Sequence, residues 1–122
     1  MTAAGVDVSL HLVHEDAHLL VLDKPAGLLC VPGRGDDKQD CLSARVQARW
    51  PEARVVHRLD MATSGLVLMA RSAEVQRALG DAFARREVWK RYEAVVDGLA
   101  QSKGWSVIDA PMMADWPRRP LQ

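Results

Sequence analysis

The sequence predicts an α+β fold, in which a mixed and mainly antiparallel β-sheet packs against two helices. Two short apolar runs, residues 19–22 and 66–70, have the length and composition of buried strands. Residues 75–83 instead place apolar side chains at the spacing of one helix face. With 122 residues, the chain is long enough for one domain of this kind.

The first part of the chain is predicted to begin the sheet. Residues 11–14 and 18–22 are predicted to form two strands, joined by a polar turn. Residues 28–31 are predicted to form a further short strand, which a Pro-Gly pair ends. The polar segment 33–40 then follows as a loop.

The first helix is predicted over residues 41–50, with Asp40 as its N-cap. Leu42, Val46 and Trp50 recur every four residues, so they give this helix one apolar face. The proline that follows Trp50 ends the helix.

The second helix is predicted to begin after Ser72, whose hydroxyl can cap its first turn. Two consecutive arginines, Arg85 and Arg86, end it and suit the negative end of the helix dipole. Its apolar stripe is predicted to be core and consists of Val75, Ala78, Leu79, Ala82 and Phe83.

Two later segments are predicted to be strands. Residues 88–96 alternate in the manner of a half-buried strand, and residues 105–108 form a short apolar run. The last segment, residues 115–122, contains prolines and arginines and has no regular period.

The charge is balanced overall but uneven along the chain. There are 16 basic and 16 acidic residues, so net charge does not indicate a nucleic-acid partner. Residues 1–40 contain seven acidic and three basic side chains, whereas residues 41–122 contain thirteen basic and nine acidic ones. A polyanion would be attracted to the second part, although mixed surface charge of this size is also ordinary.

Several classes of site or location are disfavoured. Cys30 and Cys41 lack the spacing of a metal or redox motif, so we expect reduced thiols in a cytoplasmic protein. His11 and His14 would point to opposite faces of a strand, which argues against a metal site there. No apolar run approaches the ~18 residues that a membrane span requires.

The segment 55–65 places a cation and a carboxylate two positions apart, at Arg58 and Asp60. It is predicted to form a short strand, a polar loop and the entrance to the buried strand 66–70. Charged side chains at such a junction are held by rigid elements while they still face a ligand. From the residues alone, Asp60 is the best candidate for a working carboxylate, and a capping or turn role is the alternative.

Three motifs occur in order along the chain: DKPAGLLCVPG at residues 23–33, HRLDMATSG at 57–65 and KRYEA at 90–94. They resemble the N/D-K-P-x-G-x-x-x-x-P-G segment, the HRLD-x-x-TSG signature and the K-x-Y-x-A strand of the RluA-type pseudouridine synthases. A similar pattern continues to residue 117, so the resemblance covers nearly the whole chain. Three motifs in the family's order are far more specific than any one of them.

The resemblance implies a role for each matching residue. Asp60 is implied to be the essential carboxylate, Arg58 the RNA-facing residue of its loop, and Tyr92 the aromatic that packs on the target uracil. Lys24 and Lys90 are implied to contact substrate or RNA, and Lys24 also to support the active-site cleft. The implied supporting residues of the loop are His57, Thr63, Ser64 and Gly65.

The implied activity is isomerisation of specific uridines in structured RNA. The similarity, which includes the VPGR segment, is closest to members that act on 23S ribosomal RNA and a tRNA anticodon stem-loop. The reaction demands no cofactor and no metal, and we expect a protein that binds no membrane and is a monomer when full length. The carboxylate can act as a nucleophile or as a base, and the sequence leaves both routes open.

The resemblance also implies that residues 1–122 are the N-terminal portion of the catalytic domain, with no RNA-binding domain before it. Complete members are longer, and their later part supplies more of the sheet and an arginine that pairs with the catalytic Asp. We therefore expect part of the apolar face of residues 66–70 to stay open, with Asp60 in a shallow cleft and the chain only marginally stable.

Two other functions remain possible at this point. A non-catalytic RNA-binding remnant of the family would keep the basic surface but lack a closed site. A small hydrolase built on His57 and Asp60 is disfavoured, because the Thr-Ser-Gly turn is not a nucleophile elbow. Without the resemblance, Arg58 could equally form a surface ion pair, and Tyr92 could be a half-buried strand aromatic.

Overall fold

A four-stranded antiparallel sheet is the centre of the fold in this computed structural model. The strands are β1 (Leu12–Glu15), β2 (Leu19–Lys24), β3 (Arg54–Val55) and β4 (Gly65–Ala70), arranged in the order β1-β2-β4-β3. The helices are α1 (Leu42–Arg49) and α2 (Ala73–Ala84). The structure describes residues 10–99, 103–119 and 121–122. The predicted α+β class, with two helices and a mainly antiparallel sheet, is confirmed.

By its internal contacts the chain divides into two units, Met1–Lys90 and Arg91–Gln122. Within the described residues, all four strands and both α-helices belong to the first unit. The first unit also contains a short 3-10 turn at Asp36–Lys38, and the second contains one at Trp116–Arg118.

The β1–β2 hairpin is closed by Asp16. One carboxylate oxygen of Asp16 accepts the backbone N–H groups of His18 and Leu19 at 2.8 and 2.9 Å, and the other lies 2.7 Å from Nε2 of His14. The bond to His14, followed by the two backbone bonds, holds the pKa of Asp16 well below its usual range. An aspartate that binds the backbone two residues ahead favours a turn, which explains why the chain reverses here.

The buried core lies on one face of the sheet. Leu20 and Leu22 of β2 and Val67 and Met69 of β4 alternate onto this face, because successive strand side chains point to opposite sides. The other members of this core are Cys30, Leu42, Val46, Trp50, Ala53 and Leu59. Helix α1 therefore covers this face of the sheet with the apolar positions that its sequence predicts.

The cap of α1 differs from the prediction. Cys41 is the N-cap, and its Sγ accepts the N–H of Ala44 at 3.4 Å. The prediction that Asp40 caps this helix was wrong, because both oxygens of Asp40 bind the guanidinium of Arg45 at 2.9 and 2.8 Å. This pairing lowers the pKa of Asp40 and raises that of Arg45.

Helix α2 begins as predicted, since Oγ of Ser72 accepts the N–H of Val75 at 3.1 Å. The prediction that its apolar stripe belongs to the core was wrong, because no residue of α2 is buried and Ala78 is exposed. The core residues are gathered under α1, whereas α2 lies against β3 and β4 with a half-buried stripe.

Residues 28–31 do not form the predicted strand. The carbonyl groups of Leu29 and Cys30 instead accept the N–H groups of Leu42 and Ser43, at 2.8 and 3.1 Å. These two bonds satisfy the first turn of α1, so the segment serves as a support for the helix start.

The predicted strands at residues 88–96 and 105–108 are also absent from the structure. In the described part of the second unit, Val95, Trp105 and Ile108 are almost fully exposed. Alternating apolar residues favour a strand only where a neighbouring strand supplies hydrogen bonds and a packed face. Neither segment has such a neighbour among the described residues.

Candidate active site

The loop between β3 and β4 presents Asp60 to solvent. Leu59 is buried in the core, and Arg58 and Asp60 on either side of it are exposed, as alternation along an extended chain requires. The carbonyl of Asp60 accepts the N–H of Thr63 at 3.0 Å, which closes a turn directly after the carboxylate. Leu59 therefore anchors the loop while its charged neighbours face outward together.

Lys24 supports this loop from within the protein. Its side chain is fully buried, and Nζ donates to the carbonyl oxygens of Pro25 at 3.0 Å, Leu28 at 2.6 Å and Met61 at 3.1 Å. An ammonium group has three N–H donors, so this set uses all of them. Burial lowers the pKa of Lys24, while the nearby Cys30 and Asp60 act in the opposite direction.

The carbonyl of Met61 is shared by a second donor. The N–H of Gly27 also binds it, at 2.7 Å. Gly27 has a φ of 93°, a left-handed conformation that glycine adopts without the steric cost of a side chain. The turn after β2 and the loop of Asp60 are thus joined by two hydrogen bonds to one oxygen.

His57 fastens the start of the same loop. Its Nε2 accepts the backbone N–H of Leu68 in β4 at 3.0 Å. Its ring stacks on Phe83 of α2, with centroids 4.4 Å apart and an interplanar angle of 23°. Burial of the ring, and then the positive charge of Lys90, lower the pKa of His57 below its ordinary value of 6.5.

The end of the loop leads into β4. Gly65 has a φ of 135° and pairs with Lys24 in the β2–β4 register, so it begins the strand beside the supporting lysine. Ser64 lines an open cavity of about 590 Å³, and the other lining residues are Leu10, His11, Asp23, Lys24 and Pro25. Asp60 is not among these lining residues, so the shallow cleft expected at Asp60 stays a prediction.

The sequence that forms this sheet and loop also matches a known protein family. A family model described as RNA pseudouridylate synthase matches residues 18–117, which include β2, β4, both helices and the whole Asp60 loop. The chain belongs to the RNA pseudouridylate synthase family. The resemblance stated from the three motifs is therefore confirmed.

Curated relatives of this chain have names that agree with the family. It is similar to the dual-specificity RNA pseudouridine synthase RluA of Yersinia pestis, with 46% identity over 112 residues, which is 91% of this chain and 53% of that protein. The protein of the same name from Escherichia coli K12 is 42% identical over 113 residues, 93% of this chain and 51% of that protein. The chain thus spans about half the length of the curated relatives it matches.

Solved structures support the fold. The human RNA pseudouridylate synthase domain-containing protein 1 aligns with a TM-score of 0.52 and 25% identity, over 66% of this chain and 29% of that chain. Domain-containing protein 4 aligns with a TM-score of 0.53 and 24% identity, over 63% and 30%.

The remaining residues singled out by the pseudouridylate synthase motifs lie at the end of the first unit and in the second. Lys90 is exposed, and its Nζ lies 6.0 Å from the ring centroid of Phe83, near His57. Tyr92 belongs to the second unit, where its side chain is 60% exposed. A contact of Lys90 or Tyr92 with substrate stays a prediction.

Two features of the site were not anticipated from the sequence. Phe83 was assigned to the core stripe of α2, although it stacks on His57. Gln76, which received no role, donates from Nε2 to the carbonyl of Val55 at 2.8 Å and so fixes the end of β3. For Phe83, the available signal was that it is the single phenylalanine of the sequence and ends a stripe of aliphatic residues.

The described part of the chain contains neither a candidate metal cluster nor a candidate membrane-spanning helix. Among its residues, no group of three or more His, Cys, Asp or Glu side chains could hold a metal ion. No helix within the described ranges has both the length and the apolar composition that crossing a membrane requires.

Proposed function

We propose that this protein is an RNA pseudouridine synthase, and that Asp60 is its catalytic carboxylate. The main supporting observation is that the exposed Asp60 side chain lies on a loop that Lys24 and His57 fix from two sides. Within the described residues, no hydrogen bond or ion pair occupies the Asp60 carboxylate, and the buried Lys24 is a positive charge that interacts with it electrostatically. The HRLD segment of the family is the second support.

The reaction breaks the bond between N1 of uracil and C1′ of the ribose, and joins C5 to C1′. The base must turn between the two steps, C5 must lose a proton, and N1 must gain one, so no oxidant or reductant is needed. A carboxylate beside the sugar can attack C1′ or remove a proton on the way to an elimination intermediate. Both roles suit a carboxylate that is exposed to solvent, as that of Asp60 is.

We propose that Arg58 faces the RNA from the same loop. Its guanidinium is exposed and has no partner among the described residues, so it can bind a phosphate or occupy the space left by an extruded base. The basic residues Arg85, Arg86, Lys90 and Arg91 are proposed to contact the RNA backbone, and all four are exposed. Tyr92 is proposed to pack on the target uracil, because a phenol ring offers a stacking face and a hydroxyl.

We propose a supporting role for Lys24 instead of a direct contact with RNA. Its three donors are occupied by backbone carbonyl groups, and its side chain is fully buried. Of its two assignments, support and RNA contact, only support fits a lysine with no exposed surface. Thr63, Ser64 and Gly65 are proposed to shape the turn after Asp60.

For the substrate we propose 23S ribosomal RNA, the anticodon stem-loop of a tRNA, or both. The support is the similarity to family members that act on these two RNAs, together with the name dual-specificity RNA pseudouridine synthase borne by relatives that are 42% and 46% identical to this chain. Structured RNA fragments of the two kinds, each labelled in turn, would separate the alternatives.

A non-catalytic RNA-binding role is the second candidate. It is favoured by one observation, that the basic residues near the loop are exposed and could bind RNA without turnover. In this case Arg58 and the other basic residues would bind RNA, while Asp60 would not act on a uridine.

One experiment separates the two candidates. RNA tritiated at C5 of uridine releases its label when pseudouridine forms, and filter binding on the same RNA measures affinity. We expect release by the native chain, complete loss of release in Asp60→Asn, and affinity within a few-fold, because the change keeps shape but removes charge and nucleophilicity. Substantial release by Asp60→Asn would remove Asp60 from its role, and binding without release by the native chain would favour the non-catalytic candidate.

A further inference from the structure

The edge of β4 beside β3 has an unusual hydrogen-bond acceptor. β3 pairs with β4 only through Arg54 with Ala70 and Val55 with Met69, and then leaves the sheet. The next N–H on β4, that of Leu68, would normally receive a backbone carbonyl from a continuing strand. Nε2 of His57 accepts it instead, at 3.0 Å. A side chain has therefore replaced the backbone at the point where the Asp60 loop begins.

Helix α2 holds the imidazole in this place. Phe83 stacks on the ring at 4.4 Å, and Gln76 binds the carbonyl of Val55 two residues earlier at 2.8 Å. The ring is half-buried, so the sheet edge and the helix restrict its rotation. His57 is thus fixed on both sides, three positions before Asp60.

We propose that His57 is a positioning residue for Asp60, which fastens residues 58–60 to β4 through the Leu68 amide and can do so only while its imidazole is neutral. Neutral imidazole has one acceptor nitrogen, whereas imidazolium has two donors and no acceptor. The bond to the Leu68 N–H requires Nε2 to be that acceptor, so the ring proton lies on Nδ1. This inference rests on the proposed function of Asp60.

The surroundings favour the neutral form. The ring is partly removed from water, and the charged group that faces it is Lys90, which follows α2 and disfavours a second positive charge. In the described residues, the other groups in contact with the ring are neutral, namely Phe83 from α2 and the Leu68 amide from β4. Burial of the ring and the charge of Lys90 therefore both oppose protonation of His57 at acidic pH. Once the ring is protonated, its hydrogen bond with the Leu68 amide is lost.

The test is an NMR titration of the whole chain between about pH 8 and pH 5, where histidine is the side chain that ordinarily titrates. Three proteins are compared: the native chain, His57→Gln and His57→Phe. The oxygen of glutamine can take the place of Nε2 without titrating, whereas phenylalanine keeps the stack on Phe83 and offers no acceptor. In the native chain we expect the amide signals of Leu68 and Asp60 to shift together with the His57 ring signals.

The two variants should separate the hydrogen bond from the packing. In His57→Gln the pH dependence of the Leu68 and Asp60 amide signals should disappear. In His57→Phe the hydrogen-exchange protection of the Leu68 amide should fall at neutral pH by roughly ten- to a hundred-fold, since a buried donor loses its acceptor. An Nδ1-protonated ring should also be seen directly in the nitrogen shifts of His57.

Each outcome decides the proposal. Two results would overturn the hydrogen bond. One is a Leu68 amide signal in the native chain that does not shift with the His57 ring signals. The other is native hydrogen-exchange protection of the Leu68 amide in His57→Phe. A Leu68 amide signal that shifts with the His57 ring signals while that of Asp60 does not would overturn the positioning role. The rate of uridine isomerisation, measured in parallel, should no longer fall at acidic pH in His57→Gln. A native chain without turnover would contradict the proposed function alone, because the amide signals still report on His57.

Discussion

At the scale of single residues, the buried ammonium of Lys24 explains how an exposed carboxylate can be held in a fixed position. Removing a charge from water is costly, and the cost is offset only where every donor finds an acceptor. Lys24 meets this condition with carbonyl groups from the turn after β2 and from Met61 in the Asp60 loop. A surface lysine could not join these two segments, because water would compete for each bond.

We predict that Lys24→Met lowers the free energy of unfolding by about 1–3 kcal/mol, because buried carbonyl oxygens lose their donors. Urea denaturation measures this change. Lys103→Met is the matched control, since Lys103 is exposed, and it should stay within about 0.5 kcal/mol of the native chain. Equal effects of the two substitutions would show that the three hydrogen bonds of Lys24 contribute nothing.

A second prediction concerns the exposed cations near the loop. The double substitution of Arg58 and Lys90 by Gln should weaken RNA binding and reduce its salt dependence, because each lost phosphate contact removes one counterion-release contribution. Binding titrations at several salt concentrations give the slope. Arg49→Gln, which removes a cation placed over Trp50 on α1, is the control and should leave the slope unchanged. An unaltered slope in the double variant would mean that Arg58 and Lys90 do not face phosphates.

At the scale of elements, the end of α2 combines a regular cap with an irregular residue. The N–H of Glu87 binds the carbonyl of Ala82 at 2.9 Å, and that of Arg86 binds Phe83 at 3.1 Å, which is the Schellman arrangement. Arg86 occupies its left-handed position with a φ of 57°, where glycine is usual. An arginine in this left-handed conformation has a steric cost that glycine avoids.

We therefore predict that Arg86→Gly raises the free energy of unfolding by about 1 kcal/mol, because it relieves the left-handed strain. Thermal or urea unfolding measures the gain. Arg85→Gly is the matched control: Arg85 has a φ of −86°, so glycine there should lower stability by roughly 0.5–1 kcal/mol. If Arg86 also binds RNA, the more stable variant should bind it less tightly. A loss of stability in Arg86→Gly would refute the strain argument.

The elements that the sequence predicted correctly are those whose cause is local. The strands near residues 18–22 and 66–70 and the cap at Ser72 depend on adjacent residues, so their patterns were sufficient. Asp40 failed as a cap because Arg45 competes for it, and the strand at 88–96 failed because alternation does not supply a partner. The choice between two acceptable partners is a tertiary property, which a local pattern does not contain.

The candidate site also has features that the local sequence reveals and features that only the tertiary structure reveals. Asp60, Arg58 and Lys24 were proposed as site residues from motifs, whose residue types are visible in the sequence. The bond from Lys24 to the carbonyl of Met61 joins positions 37 apart, and its acceptor is a backbone atom without a residue signature. The replacement of a strand carbonyl by His57 was equally hidden, because it depends on where β3 ends.

At the scale of the whole molecule, one face of β4 is covered and the other is partly open. Leu22 and Val67 lie in the core, whereas Leu66 is 57% exposed. In the second unit, Val95 and Trp105 are also exposed, and neither joins the buried core. Unpaired apolar surface of this kind favours association with other chains. The expectation that the face of residues 66–70 stays partly open is confirmed.

We predict that Leu66→Ala reduces self-association of the isolated chain and changes the free energy of unfolding by less than about 0.5 kcal/mol. The physical reason is that Leu66 contributes exposed apolar area and little packing. Light scattering and urea denaturation measure the two effects. Leu22→Ala, the same change at a fully buried position of β2, should instead cost about 2–5 kcal/mol. Unchanged scattering by Leu66→Ala would show that association occurs elsewhere.

The carbonyl oxygen of Met61 has a consequence for how the protein tolerates mutation. Lys24 and Gly27 both bind this oxygen, which every amino acid possesses, while the methionine side chain itself is 51% exposed. The HRLD-x-x-TSG signature accordingly leaves position 61 open, although its backbone joins two segments of the site. A saturation scan should therefore find position 61 permissive and position 24 restrictive, even though the two are halves of one hydrogen bond.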